Sequence, residues 1–132
     1  MIIRRAATLS LLALAVLGCA SSRPLPRTEF EDIPLPKGLT YQPELSTVIE
    51  SPTVKAVRLV YRGRLEPESL AEAMRSTLEA NGWRHVSSTK SGKKGAIQVY
   101  EKPGTATQVH VYERWWYTYV EVDTTRMTST SQ

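Results

Sequence analysis

Alternating apolar and polar residues predict two strands in the first half of the chain, Leu45–Glu50 and Val54–Arg62, and Ser51-Pro52-Thr53 between them has the composition of a turn. Both faces of the second strand are largely apolar, which is typical of a strand in the middle of a sheet. One face carries Val57, Leu59 and Tyr61, and the other carries Val54, Ala56 and Val60.

A helical period follows these strands. Pro67 is suited to the first helical turn, and Asn81-Gly82 is suited to the end of a helix. Between them Leu70, Met74 and Leu78 recur at every fourth position, with charged residues elsewhere around the axis. This pattern predicts a one-sided helix that lies on a sheet.

Four further strands are predicted after the helix: Trp83–Ser88, Ala96–Lys102, Thr107–Tyr112 and Tyr117–Val122. The apolar positions change from odd at Val109 and Val111 to even at Val120 and Val122, so a turn or bulge must lie between Glu113 and Trp116. The expected order is β-β-α-β-β-β-β. It describes an α+β, two-layer domain with one helix packed on a mostly antiparallel sheet. Its expected core includes Trp83 and Val99.

The amino terminus has the pattern of a secretory signal. A short cationic segment ending at Arg5 is followed by an apolar run from Ala6 to Leu17. About 12 helical residues span about 18 Å, which is too short for a hydrocarbon core of about 30 Å. The run is therefore expected to direct export and not to remain as a span.

The end of this run, Val16-Leu17-Gly18-Cys19, resembles the lipobox of bacterial lipoproteins. The resemblance implies that lipid is attached to the Cys19 sulfur and that residues 1–18 are removed. A plain secretory cleavage at Gly18-Cys19-Ala20 is the alternative. Ala20, rather than an acidic residue, follows the cysteine, which by resemblance to enterobacterial lipoproteins implies the outer membrane.

The predicted organisation has four parts: a signal peptide at 1–18, the lipidated cysteine and a proline-rich tether at 19–43, the domain at 44–125, and a disordered polar tail at 126–132. Within the tether, Ile33–Gly38 alternates aliphatic residues with prolines. We expect this segment to pack along the domain as its first ordered part; the alternative is a proline-motif ligand for a partner.

Charge and cysteine content exclude several functions. Removing Arg4 and Arg5 with the signal lowers the basic residues from 17 to 15, against 13 acidic ones, so the mature chain carries +2. This charge is too small to suggest nucleic acid as a partner. Cys19 is the only cysteine, so the domain is expected to lack a disulfide and a thiolate metal cluster.

No recognisable catalytic set is present in the sequence. His85 and His110 are the only histidines, and neither Ser87 nor Thr107 is tied to them in a triad pattern. A zinc site on the two histidines lacks a third ligand. We therefore expect no enzyme activity, no metal and no cofactor.

The unusual feature is a cluster of aromatic residues around Arg114, which contains five of the ten aromatic side chains. Aromatic residues beside arginine suit a protein interface or stacking on sugars. Burial of this face under residues 33–39 is the alternative. The candidate partner-binding residues are Tyr112, Arg114, Trp115, Trp116, Tyr117 and Tyr119.

Several short motifs resemble a family of uncharacterised small lipoproteins from Gram-negative bacteria: Pro34–Gly38, Glu50-Ser51, Arg58–Gly63, Asn81–Trp83 and Tyr100–Lys102. This resemblance implies no activity and no site. The sequence thus predicts a membrane-anchored envelope lipoprotein with a non-catalytic role. An adaptor or assembly factor that binds an envelope protein is the first hypothesis, and a binder of cell-wall glycan such as peptidoglycan is the alternative.

Replacing Cys19 with Ser removes the only thiol that can accept lipid. We expect the variant to move from the membrane pellet to the soluble fraction of cells, because each buried lipid methylene contributes about 0.8 kcal/mol to anchoring. Retention of the variant in the pellet would place the anchor elsewhere.

Overall fold

A computed structural model describes residue 30, residues 33–90, residue 92 and residues 95–128. The predicted signal peptide, Cys19, most of the tether and residues 129–132 lie outside the described residues. The described part contains β1 (Thr40–Tyr41), β2 (Thr47–Glu50), β3 (Val54–Gly63), α1 (Pro67–Ala80), β4 (Arg84–Lys90), β5 (Ala96–Lys102), β6 (Thr105–Arg114) and β7 (Tyr117–Met127).

The strands form one seven-stranded antiparallel sheet in the order β1-β3-β7-β6-β5-β4, and β2 also pairs with β3. β3 and β7 pair along their whole length, from Val54 opposite Met127 to Gly63 opposite Thr118. The pairing of β3 on both of its edges confirms the prediction of a central strand.

The helix begins where Glu66 caps it. The Glu66 carboxylate accepts the backbone N–H groups of Glu68 at 3.0 Å and Ser69 at 2.7 Å. These hydrogen bonds lower the pKa of Glu66, because they favour the ionised form. The face of α1 made of Leu70, Met74 and Leu78 is buried, as its four-residue spacing predicts.

One face of the β6–β7 hairpin forms the floor of the core. Val109, Val111, Val120 and Val122 are all 0% exposed. On β5, Gln98 and Tyr100 are buried on this side, whereas the side chain of Val99, which was expected in the core, is only half-buried. The core accepts Gln98 because its amide donates to the carbonyl oxygen of Ala71 and accepts from the Tyr100 hydroxyl, at 3.0 and 2.9 Å.

The described residues before β1 lie on the same side of the sheet as α1. Phe30 and Ile33 are buried in the same core cluster as the helix, and Leu35 and Leu39 pack against that cluster. This burial agrees with the expectation that residues 33–38 pack along the domain. The described residues of this segment therefore do not cover the opposite side of the sheet.

The outer edge of β3 is interrupted between β1 and β2. A short 3-10 turn at Pro43–Leu45 lies between β1 and β2, so Leu45, the first residue of the predicted first strand, is not extended. The two backbone groups of Val60 are satisfied by the turn: the Gln42 N–H donates to its carbonyl at 2.8 Å, and its own N–H donates to the Ser46 hydroxyl at 3.0 Å.

The α+β class with one helix on an antiparallel sheet is confirmed, and the predicted order lacks only β1. β1 has two residues, too few to show a periodicity. The predicted turn between Glu113 and Trp116 is confirmed at Trp115 and Trp116, which connect β6 to β7. β7 extends to Met127, so Arg126 and Met127 are strand residues.

Gly63→Ala is expected to release the segment around Gly38. A Cβ at position 63 would overlap the carbonyl oxygen of Gly38, and overpacking of this kind costs about 1–3 kcal/mol. Trypsin should therefore cleave after Lys37 faster than in the wild-type protein. Gly104→Ala is the control, because its left-handed φ of 71° makes alanine unfavourable while nothing lies near its added Cβ. Equal cleavage rates after Lys37 in the two variants would contradict this account of the packing.

Candidate partner-binding surface

We call the side of the sheet opposite α1 the open face. Its residues on β3, β6 and β7 are exposed or half-buried, except Val60, which is 1% exposed. Side chains alternate between the two sides of a sheet along each strand. The residues that lie between the core-facing ones therefore point to the open face. Its members from β3, β6 and β7 include Arg58, Arg62, Gln108, His110, Tyr112, Arg114, Tyr117, Tyr119, Glu121 and Asp123.

A group of stacked rings lies at the centre of the open face. Tyr112 and Tyr119 are directly opposite each other on β6 and β7, with ring centroids 5.6 Å apart and planes inclined by 12°. The His110 ring lies 4.7 Å from Tyr112. Part of the face of each ring is therefore covered by a neighbouring ring.

Tyr112 is held in its neutral form. Burial raises its pKa to about 12, and the hydrogen bond from its hydroxyl to Glu121 at 2.8 Å acts in the same direction. His110 Nδ1 lies 3.9 Å from the same Glu121 carboxylate. The polar atoms of this cluster are thus held in fixed directions within an aromatic surface, where a partner can contact them.

An ion pair crosses the open face from β3 to β7. Arg58 binds both carboxylate oxygens of Asp123, at 2.7 and 3.0 Å. The hydrogen bond and charge of Asp123 raise the pKa of Arg58. Both side chains remain partly exposed, 53% for Arg58 and 30% for Asp123, so the pair contributes little to stability and leaves polar atoms available to a partner.

Tyr117 lies between two arginines where β7 begins. The guanidinium carbon of Arg62 is 4.7 Å from the centre of its ring, and that of Arg64 is 5.3 Å away. A hydrogen bond from Arg64 and the charges of Arg64 and Arg62 lower the pKa of Tyr117. Beside it Arg64, Leu65, Glu113, Trp116, Tyr117 and Thr118 line a shallow notch of about 440 Å³.

Trp115 and Trp116 form the two-residue turn between β6 and β7, and we call them the tip. Each is 83% exposed, the highest value among the large hydrophobic residues that the structure describes. Trp115 has a φ of 59°, the only positive φ of a described residue other than glycine. A positive φ at the first of two turn residues is typical of a type II′ hairpin turn, where glycine is usual.

The six candidate residues fall into two adjoining groups. Tyr112, Arg114, Tyr117 and Tyr119 lie on the open face, and Trp115 and Trp116 form the tip at its end. Burial of this face beneath residues 33–39 is contradicted, since the described residues of that segment pack in the core on the helix side.

The other candidate groups are not brought together. His85 faces the helix side, where its ring lies 5.4 Å from Tyr100 and its Nε2 is 2.6 Å from the Ser88 hydroxyl. His110 lies on the open face, so the two histidines are separated by the sheet. Thr107 is on the helix side and pairs with Thr124 at 2.7 Å. Among the described residues, no group of three or more His, Cys, Asp or Glu could hold a metal ion.

Sequence reasoning missed the cross-strand partners of the aromatic residues. Arg58 and Arg62 occupy the polar positions of β3, and they pair in register with Asp123 and Tyr119. Alternation along β3 indicated that these arginines share a face, but only the register shows which residues of β7 lie beside them.

Comparisons of the chain with protein-family models, with curated proteins and with solved structures find no match. Within the described residues, no helix is long and apolar enough to cross a membrane.

Trp115→Gly and Trp116→Gly are expected to change stability in opposite directions. The first relieves the left-handed strain of a bulky residue, about 1–2 kcal/mol, and should raise the free energy of unfolding by about 1 kcal/mol after the entropy cost of glycine. Trp116→Gly has the same entropy cost but relieves no backbone strain, so it should lower the free energy of unfolding by about 0.5–1 kcal/mol.

Thermal unfolding measures both variants, with about 4–8 °C expected per kcal/mol for a domain of this size. The two residues are equally exposed, so loss of side-chain contacts is matched. A decrease in stability for both variants would show that the turn is not strained at Trp115.

Proposed function

We propose that this chain is an envelope lipoprotein, held on a membrane by lipid on Cys19, which binds a protein partner through the open face. The proposed role is that of a non-catalytic adaptor or assembly factor. The lipobox resemblance supports the anchor, and Ala20 after the cysteine supports the outer membrane. The observation that carries the binding role is that the open face combines tyrosines and arginines whose side chains are exposed or half-buried.

The composition of this face supports protein binding. Tyr, Trp and Arg are the residues enriched where binding energy is concentrated in protein interfaces. Tyr112, Tyr119 and Glu121 are already fixed by stacking and a hydrogen bond, so little side-chain entropy would be lost on binding.

The packing of the rings makes sugar stacking a weaker proposal for the same face. A sugar needs an accessible aromatic ring face, but Tyr112 stacks on Tyr119 and His110, and Tyr117 is next to Arg62 and Arg64. A polar, hydrogen-bonded face with partly occupied rings suits a folded protein surface better than a glycan.

A photo-crosslinking residue at Gln108 tests this proposal in cells that express the full chain. Gln108 is exposed on the open face beside Asp123, and replacing it leaves the stacked rings intact. We expect a discrete protein adduct from position 108. The same probe at Ser76, which is exposed on α1 on the opposite side of the domain, should not give this adduct.

A second substitution tests whether the adduct reports specific binding. Arg58→Glu in the Gln108 probe background should reduce its yield by about tenfold, the effect of about 1.4 kcal/mol, because Arg58 lies on the open face beside Asp123, which pairs with Gln108. Identical adducts from positions 108 and 76 would argue against the proposal. So would retention of the purified chain on peptidoglycan, because a protein adaptor should remain unbound.

A further inference from the structure

The tip differs from the rest of the candidate surface because its aromatic rings do not pack on the domain. Trp115 and Trp116 are each 83% exposed, whereas Tyr112, Tyr117 and Tyr119 are only partly exposed on the sheet. Two adjacent indoles on a two-residue turn form a convex wedge at the end of the β6–β7 hairpin. A wedge of this kind does not require a preformed cavity in the surface that it enters.

The backbone conformation at Trp115 costs conformational energy that a glycine at this position would avoid. A left-handed φ is unfavourable for tryptophan by about 1–2 kcal/mol, and glycine would adopt it freely. The large exposed side chain offers no compensating burial within the described structure. Retained strain at an exposed position points to a role in binding.

Cations surround the tip. Arg114 precedes Trp115 in the chain, and Arg62 and Arg64 are beside Tyr117, directly after the turn. Glu113 is the acidic residue in the adjoining notch, so the local balance is positive. Tryptophan prefers the membrane interface, where its ring lies among the headgroups, and arginine binds phosphate groups there.

We propose that the Trp115-Trp116 tip inserts into the headgroup region of a phospholipid bilayer, while Arg62, Arg64 and Arg114 contact lipid phosphates. This contact goes beyond the proposed partner binding, because it depends on the two tryptophans of the tip; Arg62 and Arg114 lie at the end of the open face that adjoins the tip. It would be a second attachment of the domain to the membrane, and it would orient the open face.

The position of the anchor is compatible with this second contact. The Phe30 ring lies 5.1 Å from the guanidinium carbon of Arg126, near the end of β7 that is remote from the tip. The nine residue-to-residue steps along the strand from Tyr117 to Arg126 span about 30 Å. Eleven residues from Cys19 to Phe30 can reach at most about 40 Å, so lipid and tip can occupy one bilayer.

Tethering also lowers the affinity that the tip requires. A group linked to the membrane meets the bilayer at a high effective concentration, and a weak contact then becomes well populated. This step rests on the proposed lipid on Cys19; the chemistry of the tip does not.

The chain contains its own reporters for a direct test. It has three tryptophans, and Trp83 is only 2% exposed in the core, which makes it an internal reference. The full chain, matured through its own leader, is reconstituted in phosphatidylethanolamine and phosphatidylglycerol vesicles with acyl chains brominated near the headgroup. Bromine quenches tryptophan fluorescence on contact.

We expect loss of the Trp115 and Trp116 emission in brominated vesicles, with the Trp83 emission retained. The Trp115→Ser, Trp116→Ser double variant should show only the unquenched Trp83 signal. An Ile49→Ser, Met127→Ser variant is the matched control, because it removes the exposed apolar residues near the other end of β3 and β7 and should keep the quenching. Unquenched emission from the tip in membrane-bound protein would overturn the proposal.

A Cys19→Ser chain separates this proposal from the proposed anchor. We expect it to sediment with phosphatidylglycerol vesicles more than with phosphatidylcholine vesicles, and Arg62→Gln, Arg64→Gln, Arg114→Gln should abolish this difference. If sedimentation is the same with both lipids, or the three substitutions leave it unchanged, the arginines do not have the proposed role. A photo-probe at Trp115 that gives protein adducts and no lipid adducts would also overturn insertion, whatever the result at Gln108.

Discussion

Burial of one face of the β6–β7 hairpin in the core that α1 and the segment with Phe30 and Ile33 complete is the interaction on which the rest of the structure depends. Val109, Val111, Val120 and Val122 are fully buried there, and burial of a valine contributes about 1.5 kcal/mol or more. Because side chains alternate along a strand, fixing these four inward also fixes which residues face outward. The stacked tyrosines lie on the open face because the valines next to them in the same strands face the core.

The same constraint explains the two-layer form and its asymmetry. A single helix contacts β4, β5 and β6, and the segment that contains Phe30 and Ile33 completes the cover on the same side. The described chain has no further element for the other side of a seven-stranded sheet. On that side, ring stacking and side-chain hydrogen bonds hold the residues in fixed positions.

The sequence predicted most of this fold because the longer elements have unambiguous patterns. Leu70, Met74 and Leu78 indicated the buried face of α1, and the change of parity between Val111 and Val120 located the tip. β1 could not be predicted, since its two residues are extended only through pairing with Arg62 and Tyr61. Val99 was placed in the core from its apolar side chain alone, but strand alternation buries Gln98 and Tyr100 instead.

The candidate site was predictable in composition but not in arrangement. The concentration of aromatic residues is visible in the sequence, whereas the stack of Tyr112 on Tyr119 depends on the hairpin register. The contribution of Arg58 and Asp123 depends on pairing between residues that are 65 positions apart. Such long-range pairings leave no local pattern.

The interrupted edge of β3 has a consequence for contacts between copies of this domain. An unbroken free strand at a sheet edge would invite ladder formation with a neighbouring copy. On this chain the 3-10 turn at Pro43–Leu45 separates β1 from β2, and Gln42 and Ser46 occupy the intervening hydrogen-bonding groups of Val60. A neighbouring strand would find only two short, discontinuous stretches at this edge. At the opposite edge, β4 has a register shift between His85 and Ser87, so neither edge of the sheet presents a long regular strand.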